Sequence, residues 1–183
     1  MAEVRRRRGA VQVILSGDEA STLGTLAKQV AALLSDDSVT TSDDPLEAMV
    51  GLSSVATEVP DDPALRRLLP DAYREDADAA GEFRRLMDTE LRQNKTSALS
   101  DVSDAAATAA GQTVTLRLNE EQAERWLQAL TDIRLVLGTR LDVPEDPADL
   151  WNQLEPDDSR VPLLAIYDWL AWVQESIVRA LDD

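Results

Sequence analysis

The chain opens on a short alternation of apolar and polar positions. Val11, Val13 and Leu15 interleave with Gln12, Ile14 and Ser16, the period-two pattern of a strand with one buried face. Ser16-Gly17-Asp18-Glu19 follows, a serine cap with a glutamate three residues later, which predicts the start of a helix. Along it Leu23, Leu26, Val30, Leu33 and Leu34 recur at spacings of three and four, so one face is buried. The same design returns later. Val114, Leu116 and Leu118 alternate with Thr115 and Arg117, Asn119 to Gln122 repeats the cap-and-box pattern, and Ala123, Trp126, Leu127, Leu130, Ile133 and Leu137 form the apolar stripe behind it. A lone strand would leave its backbone groups unpaired, so the two strands are expected to pair in one small sheet.

Between these units lies a mostly helical insertion. Residues 36–63 read as an acidic loop, with a short helix expected from Asp44 through Leu52. Pro63 fits the first position of another short helix that Pro70 stops. A long helix is expected from about Ala72, with Tyr73, Phe83, Leu86, Met87 and Leu91 inward. A break is expected between Asn94 and Ser100, before the alanine-rich run ends at Gly111. Another short helix is placed at Asp149 to Leu154. The last one starts near Pro162 and runs to Leu181, carrying Leu163, Ile166, Tyr167, Leu170, Val173 and Ile177, with Trp169 and Trp172 on its flanks. The fold class is therefore α+β and predominantly helical: five to seven helices with a small two-stranded sheet element. Residues 1–9 form a basic N-terminal arm and residues 10–183 a single α-rich domain.

Composition narrows the function. The 183 residues hold 35 acidic and 18 basic side chains, a formal charge of −17, and 44% hydrophobic residues. Such a chain can build a real core. It contains no His and no Cys, which excludes the Ser-His-Asp and Cys-His nucleophiles, a His base, a zinc finger and a disulfide switch within it. The seven Gly are scattered and form no phosphate-cradling loop. Asp71, Glu75, Asp78 and Glu82 share a helical face, but Arg74 and Arg84 sit four residues before Asp78 and Asp88, the pattern of a solvated face. No catalytic residue, cofactor-binding residue or metal ligand is assigned, and no enzyme activity is expected. No apolar run approaches the ~18 residues needed to span a bilayer, and the expected location is the cytoplasm.

The charge is blocky. Residues 36–63 carry eight acidic groups and no basic one, whereas Arg5, Arg6, Arg7 and Arg8 form the one dense basic cluster. That cluster is a candidate contact for nucleic acid or a protein partner; a solvating terminus, or an arm folded onto the acidic middle of the chain, are its alternatives. Trp169 and Trp172 are candidates for core or for an interface, since Trp is enriched at interface hot spots. Asp132, Arg134 and Arg140 lie on or just past a helix whose opposite side is apolar, a candidate buried or interfacial ion-pair set.

Three stretches together carry a family resemblance: Leu69-Pro70-Asp71-Ala72-Tyr73 followed by Glu82-Phe83-Arg84-Arg85; Trp126-Leu127-Gln128-Ala129-Leu130; and Asp132-Ile133-Arg134-Leu135-Val136-Leu137-Gly138-Thr139-Arg140-Leu141. They resemble an actinobacterial domain-of-unknown-function family encoded beside the ClpS protease adaptor, the AosR-like oxidative-stress regulators. The last stretch is the most specific. The resemblance implies a cytoplasmic regulator of stress transcription that acts by protein contact with a sigma factor or RNA polymerase, and a homodimer is expected. The gene neighbourhood implies the alternative, an adaptor for Clp proteolysis. Redox-sensing members use a close N-terminal Cys pair, which this chain lacks.

Overall fold

A computed structural model of the chain describes residues 2–36, 61–70, 77–144, 154–155 and 157–182, with the backbone alone described at 36 and over 77–89. The expected loop at 36–63 therefore lies mostly outside the described residues, as do the short helices at Asp44–Leu52 and Asp149–Leu154, apart from Leu154 itself. The elements run β1 (Glu3–Arg7), β2 (Ala10–Leu15), α1 (Gly17–Asp36), α2 (Pro63–Leu68), α3 (Ala77–Ala107), β3 (Val114–Leu118), α4 (Glu120–Arg140) and α5 (Val161–Asp182).

The predicted pairing of Val11–Leu15 with Val114–Leu118 is present and antiparallel, with Val13 opposite Leu116. The sheet has three strands rather than two, in the order β1-β2-β3. The extra strand comes from the basic segment. Glu3 to Arg7 pairs antiparallel with β2, and Arg8-Gly9 makes the two-residue turn between Arg7 and Ala10. Both turn residues have positive φ, 54° for Arg8 and 75° for Gly9. A primed hairpin turn requires this because its twist matches that of the strands it joins. Gly9 adopts the conformation freely; Arg8 does so at a cost.

Each predicted cap forms. The Ser16 hydroxyl accepts from the Glu19 backbone N–H at 3.3 Å, while the Glu19 carboxylate accepts from the Ser16 N–H at 2.8 Å. The Asn119 side chain accepts from the Gln122 N–H, and the Gln122 side-chain oxygen accepts from the Asn119 N–H, a complete capping box. Glu19 also ties down the chain start, accepting from the Ala2 N–H at 2.7 Å. Burial opposes its ionisation, but these donors outweigh it and hold the carboxyl below its ordinary pKa.

The helices cover one face of the sheet. Val11, Val13 and Leu15 are 0–2% exposed. Beneath them lie Leu23, Val30 and Leu34 of α1, Leu99 and Val102 of α3, Trp126, Leu130 and Ile133 of α4, and Leu170, Val173 and Ile177 of α5. Each such side chain contributes roughly 1.5–3 kcal/mol by burial.

Helix α3 runs without the break expected at Asn94–Ser100. The polar residues there are weak helix formers, yet tertiary contacts override them. Ala98 and Leu99 are fully buried, Arg92 donates to the Leu34 carbonyl near the end of α1 at 2.8 Å, and Arg125 of α4 reaches both Ser97 and Asp101.

Candidate functional site

The three-stranded sheet divides the basic cluster. Pairing places Arg5 beside Gln12 and Gln12 beside Arg117, one row across the sheet on the face away from the helices. Arg7 and Thr115 lie on the same exposed face. Arg5 donates to Gln12 at 2.9 Å and pairs with Glu3 at 2.7 Å. Among the described residues Arg7 and Arg117 have no ion-pair partner, and neither does Arg8 at the hairpin tip. Arg6 points the other way and donates to the Ala180 and Leu181 carbonyls at 3.2 and 2.8 Å, closing the end of α5. A cation there satisfies carbonyls that the helix leaves unbonded and complements its dipole. Between the hairpin and α5 lies an open groove of about 650 Å³ that includes Arg5, Arg6, Arg8 and Arg179. The four arginines thus split: one secures the fold and three stand on or beside an open cationic surface.

The second constellation sits on α4. Asp132 is 1% exposed and accepts from Lys95 Nζ of α3 at 2.5 Å. Its second oxygen, Oδ2, is buried without a partner. Burial raises the Asp132 pKa, with the Lys95 hydrogen bond and charge opposing. Arg134 points to α5. Its guanidinium carbon lies 4.9 Å from the centre of the Tyr167 ring, and it donates to Gln174 Oε1 at 2.9 Å. Arg140 forms an ion pair with Asp62, the N-cap of α2, and so fastens that short helix to the end of α4. Asp62 also caps α2 by accepting from the Ala64 N–H at 2.7 Å. Burial works against its ionisation, but Arg140 and that N–H hold its pKa below the ordinary value. The expected ion-pair set is therefore three separate ties, from α4 to α3, α5 and α2.

This run is the stretch on which the family resemblance rests most, and the comparison decides it. The chain matches the family described as "Domain of unknown function (DUF2017)" over residues 1–181. It belongs to the DUF2017 family. A protein of Mycobacterium bovis named "Oxidative stress regulator AosR" is 33% identical over 184 residues, covering 91% of this chain and 80% of the relative. A Mycobacterium tuberculosis protein of the same name matches with the same figures. A Mycobacterium leprae relative is 29% identical over 92% of this chain and 81% of its own length. No solved structure matches the chain.

In this DUF2017 chain Trp169 is half-buried against the core with its indole N–H unpartnered, whereas Trp172 is 38% exposed. Leu163 and Val178 are the other large exposed apolar residues of α5. The acidic face is largely outside the described residues: Asp71 and Glu75 are not described, and Asp78 and Glu82 only as backbone. Among the described residues, no group of three or more acidic side chains is placed to hold a metal ion, and no helix is long and apolar enough to cross a membrane.

Two site residues escaped the sequence reading. Arg117 was visible only as an outward position of a strand; the register that sets it beside Gln12 is a tertiary fact. Lys95 is one of only two lysines in the chain, and that scarcity was its one signal.

Proposed function

We propose that this chain is a non-enzymatic, cytoplasmic regulator of the oxidative-stress response that acts on transcription by binding a protein partner, a sigma factor or RNA polymerase. The similarity to proteins named as oxidative stress regulators, over four-fifths of their length, carries the reading. The open sheet face supports it. Arg5, Arg7, Arg8 and Arg117 concentrate positive charge in a molecule of net charge −17, so an acidic protein surface docks there while the rest of the molecule repels misoriented approach. A duplex is disfavoured against that protein partner because the overall field opposes approach to phosphate.

With no Cys in the chain, an oxidative signal reaches it through its partner or its abundance, not through a disulfide of its own. The reading includes a homodimer using the exposed side of α5 around Trp172.

Purified protein mixed with sigma factors and core RNA polymerase tests the proposal by pull-down and salt titration. Binding that weakens with salt, and that Arg7→Glu with Arg117→Glu abolishes, is expected. No binding to any of these proteins at low salt overturns it, and a band shift on promoter DNA without polymerase replaces it with direct DNA contact. Sedimentation that returns only monomer removes the homodimer.

A further inference from the structure

A second cationic site lies away from the sheet, where α2, α4 and α5 meet. The cleft there holds about 170 Å³ and is lined in part by Arg67, Thr131, Arg134, Gly138 and Tyr167. Two guanidinium groups share it, and among the described residues neither pairs with a carboxylate. Among the described residues Arg67 has no hydrogen-bond or ion-pair partner, in a chain where acidic groups outnumber basic ones by 35 to 18. Among the described residues Arg134 bonds only neutral partners, Gln174 Oε1 at 2.9 Å and the Tyr167 hydroxyl at 3.4 Å. Its Nε is buried with no acceptor. A buried donor without an acceptor costs roughly 1–3 kcal/mol, and a bound ion that supplies the missing acceptor is one way such a group is satisfied.

The surrounding architecture builds this cleft. The ion pair of Arg140 with Asp62 docks α2 and thereby brings Arg67 to the end of α4. Gly138 leaves room: a Cβ there would sit 3.3 Å from the Tyr167 ring. The chain leaving α4 folds back, with the Val143 N–H donating to the Gly138 carbonyl at 2.9 Å, and closes one wall.

The geometry points to a binding site for a small oxyanion, a phosphate or carboxylate group, held between Arg67 and Arg134 with the Tyr167 hydroxyl as a further donor. Guanidinium groups match both anions through paired N–H donors. The volume admits a compact anion and excludes a nucleotide, since cofactor pockets generally run from about 300 Å³ upward. Bound there, the anion bridges α2 to α4 and α5, three elements that meet around these two cations. This site is independent of the sheet face and of the proposed regulatory role.

Calorimetric titration of the full chain with sodium phosphate, and separately with sodium succinate, tests it at constant ionic strength set with chloride. Saturable binding of at least one anion is expected. Arg67→Gln, at an exposed position that leaves the core untouched, is expected to weaken it about tenfold or more, since a charge-assisted contact is lost. Gly138→Ala weakens it as well by crowding Tyr167. The double variant Arg7→Gln/Arg8→Gln, on the sheet side, leaves it unchanged. Binding of phosphate alone or of succinate alone, with this dependence on Arg67, supports the site and names its ligand class. Absence of saturable binding by either anion overturns it, as does binding that survives Arg67→Gln or is lost in the Arg7/Arg8 variant.

Discussion

Lys95→Met is the sharpest test of how the helices are held together. Methionine keeps most of the aliphatic stem and removes the charge that Asp132 faces. The lysine and aspartate side chains are 12% and 2% exposed, and Asp132 Oδ2 has no other partner to fall back on. Breaking a buried pair on one side strands a charge and costs about 3–5 kcal/mol. For a chain of this length that corresponds to a fall in Tm of roughly 10 °C.

The pH dependence carries a definite sign. Burial raises the Asp132 pKa in the folded state above its ordinary 3.8, and Lys95 limits the rise. The group's contribution to stability is therefore fully present below the unfolded value and is lost as pH rises through the folded value. Removing Lys95 drives the folded pKa higher and stretches that window upward. The Lys95→Met penalty is thus largest above the variant's folded value and shrinks on acidification through it, by up to about 1.4 kcal/mol per pH unit. Urea unfolding followed by Trp fluorescence at several pH values measures it, with Trp126 a buried reporter at 2% exposure. The double variant Lys95→Met/Asp132→Leu is expected to recover most of the loss, because it removes the stranded charge instead of creating one. A penalty below about 1 kcal/mol, one flat with pH, or a double variant no better than the single would refute the reasoning.

Three further outcomes follow from local geometry. Gly17→Ala should lower Tm sharply, because a Cβ there would lie 2.3 Å from the Gly111 carbonyl oxygen; overpacking costs about 1–3 kcal/mol when backbone must move, and an unchanged melting curve would contradict the close approach of α1 to the turn before β3. Arg8→Asn should stabilise the hairpin by up to ~1 kcal/mol, since Arg8 sits at φ 54° and Asn tolerates that region better; a loss of stability in thermal melts would count against the primed turn. Glu19→Gln should cost about 1 kcal/mol at neutral pH through a weakened cap and chain-start anchor. The folded pKa of Glu19 is lowered, so its contribution is present above the unfolded value of 4.5 and is lost as pH falls through the folded one; wild type and variant should converge in acid, and a gap that persists there argues against the carboxylate.

Much of the local structure was legible because it is a property of neighbours along the chain. Ser16 with Glu19, and Asn119 with Gln122, announce helix starts through atoms three residues apart. The stripe from Ala123 to Leu137 follows the helical period. The failures have a common origin. Four arginines in a row read as an arm because no alternation of apolar residues marks β1; its pairing comes from β2, already half a sheet, and from the turn at Gly9. The polar stretch around Asn94 reads as a break because its helical support comes from α1 and α4.

The sequence by itself determined the class of the protein: an acidic, helix-rich chain with one buried sheet face, no His or Cys chemistry, and a run from Asp132 to Leu141 that places it in its family. Only the tertiary structure decided what its charges do. It sent Arg6 to the end of α5 and lined up Arg5 with Arg117 across the sheet. It also turned Asp132, Arg134 and Arg140 of α4 toward three different helices, and set Arg134 in one cleft with a second cation, Arg67. Spacing along one chain fixes which helix face a charge occupies; its partner is set by strand register and helix docking, which bring together residues as many as 175 positions apart, as in the bond from Arg6 to the Leu181 carbonyl.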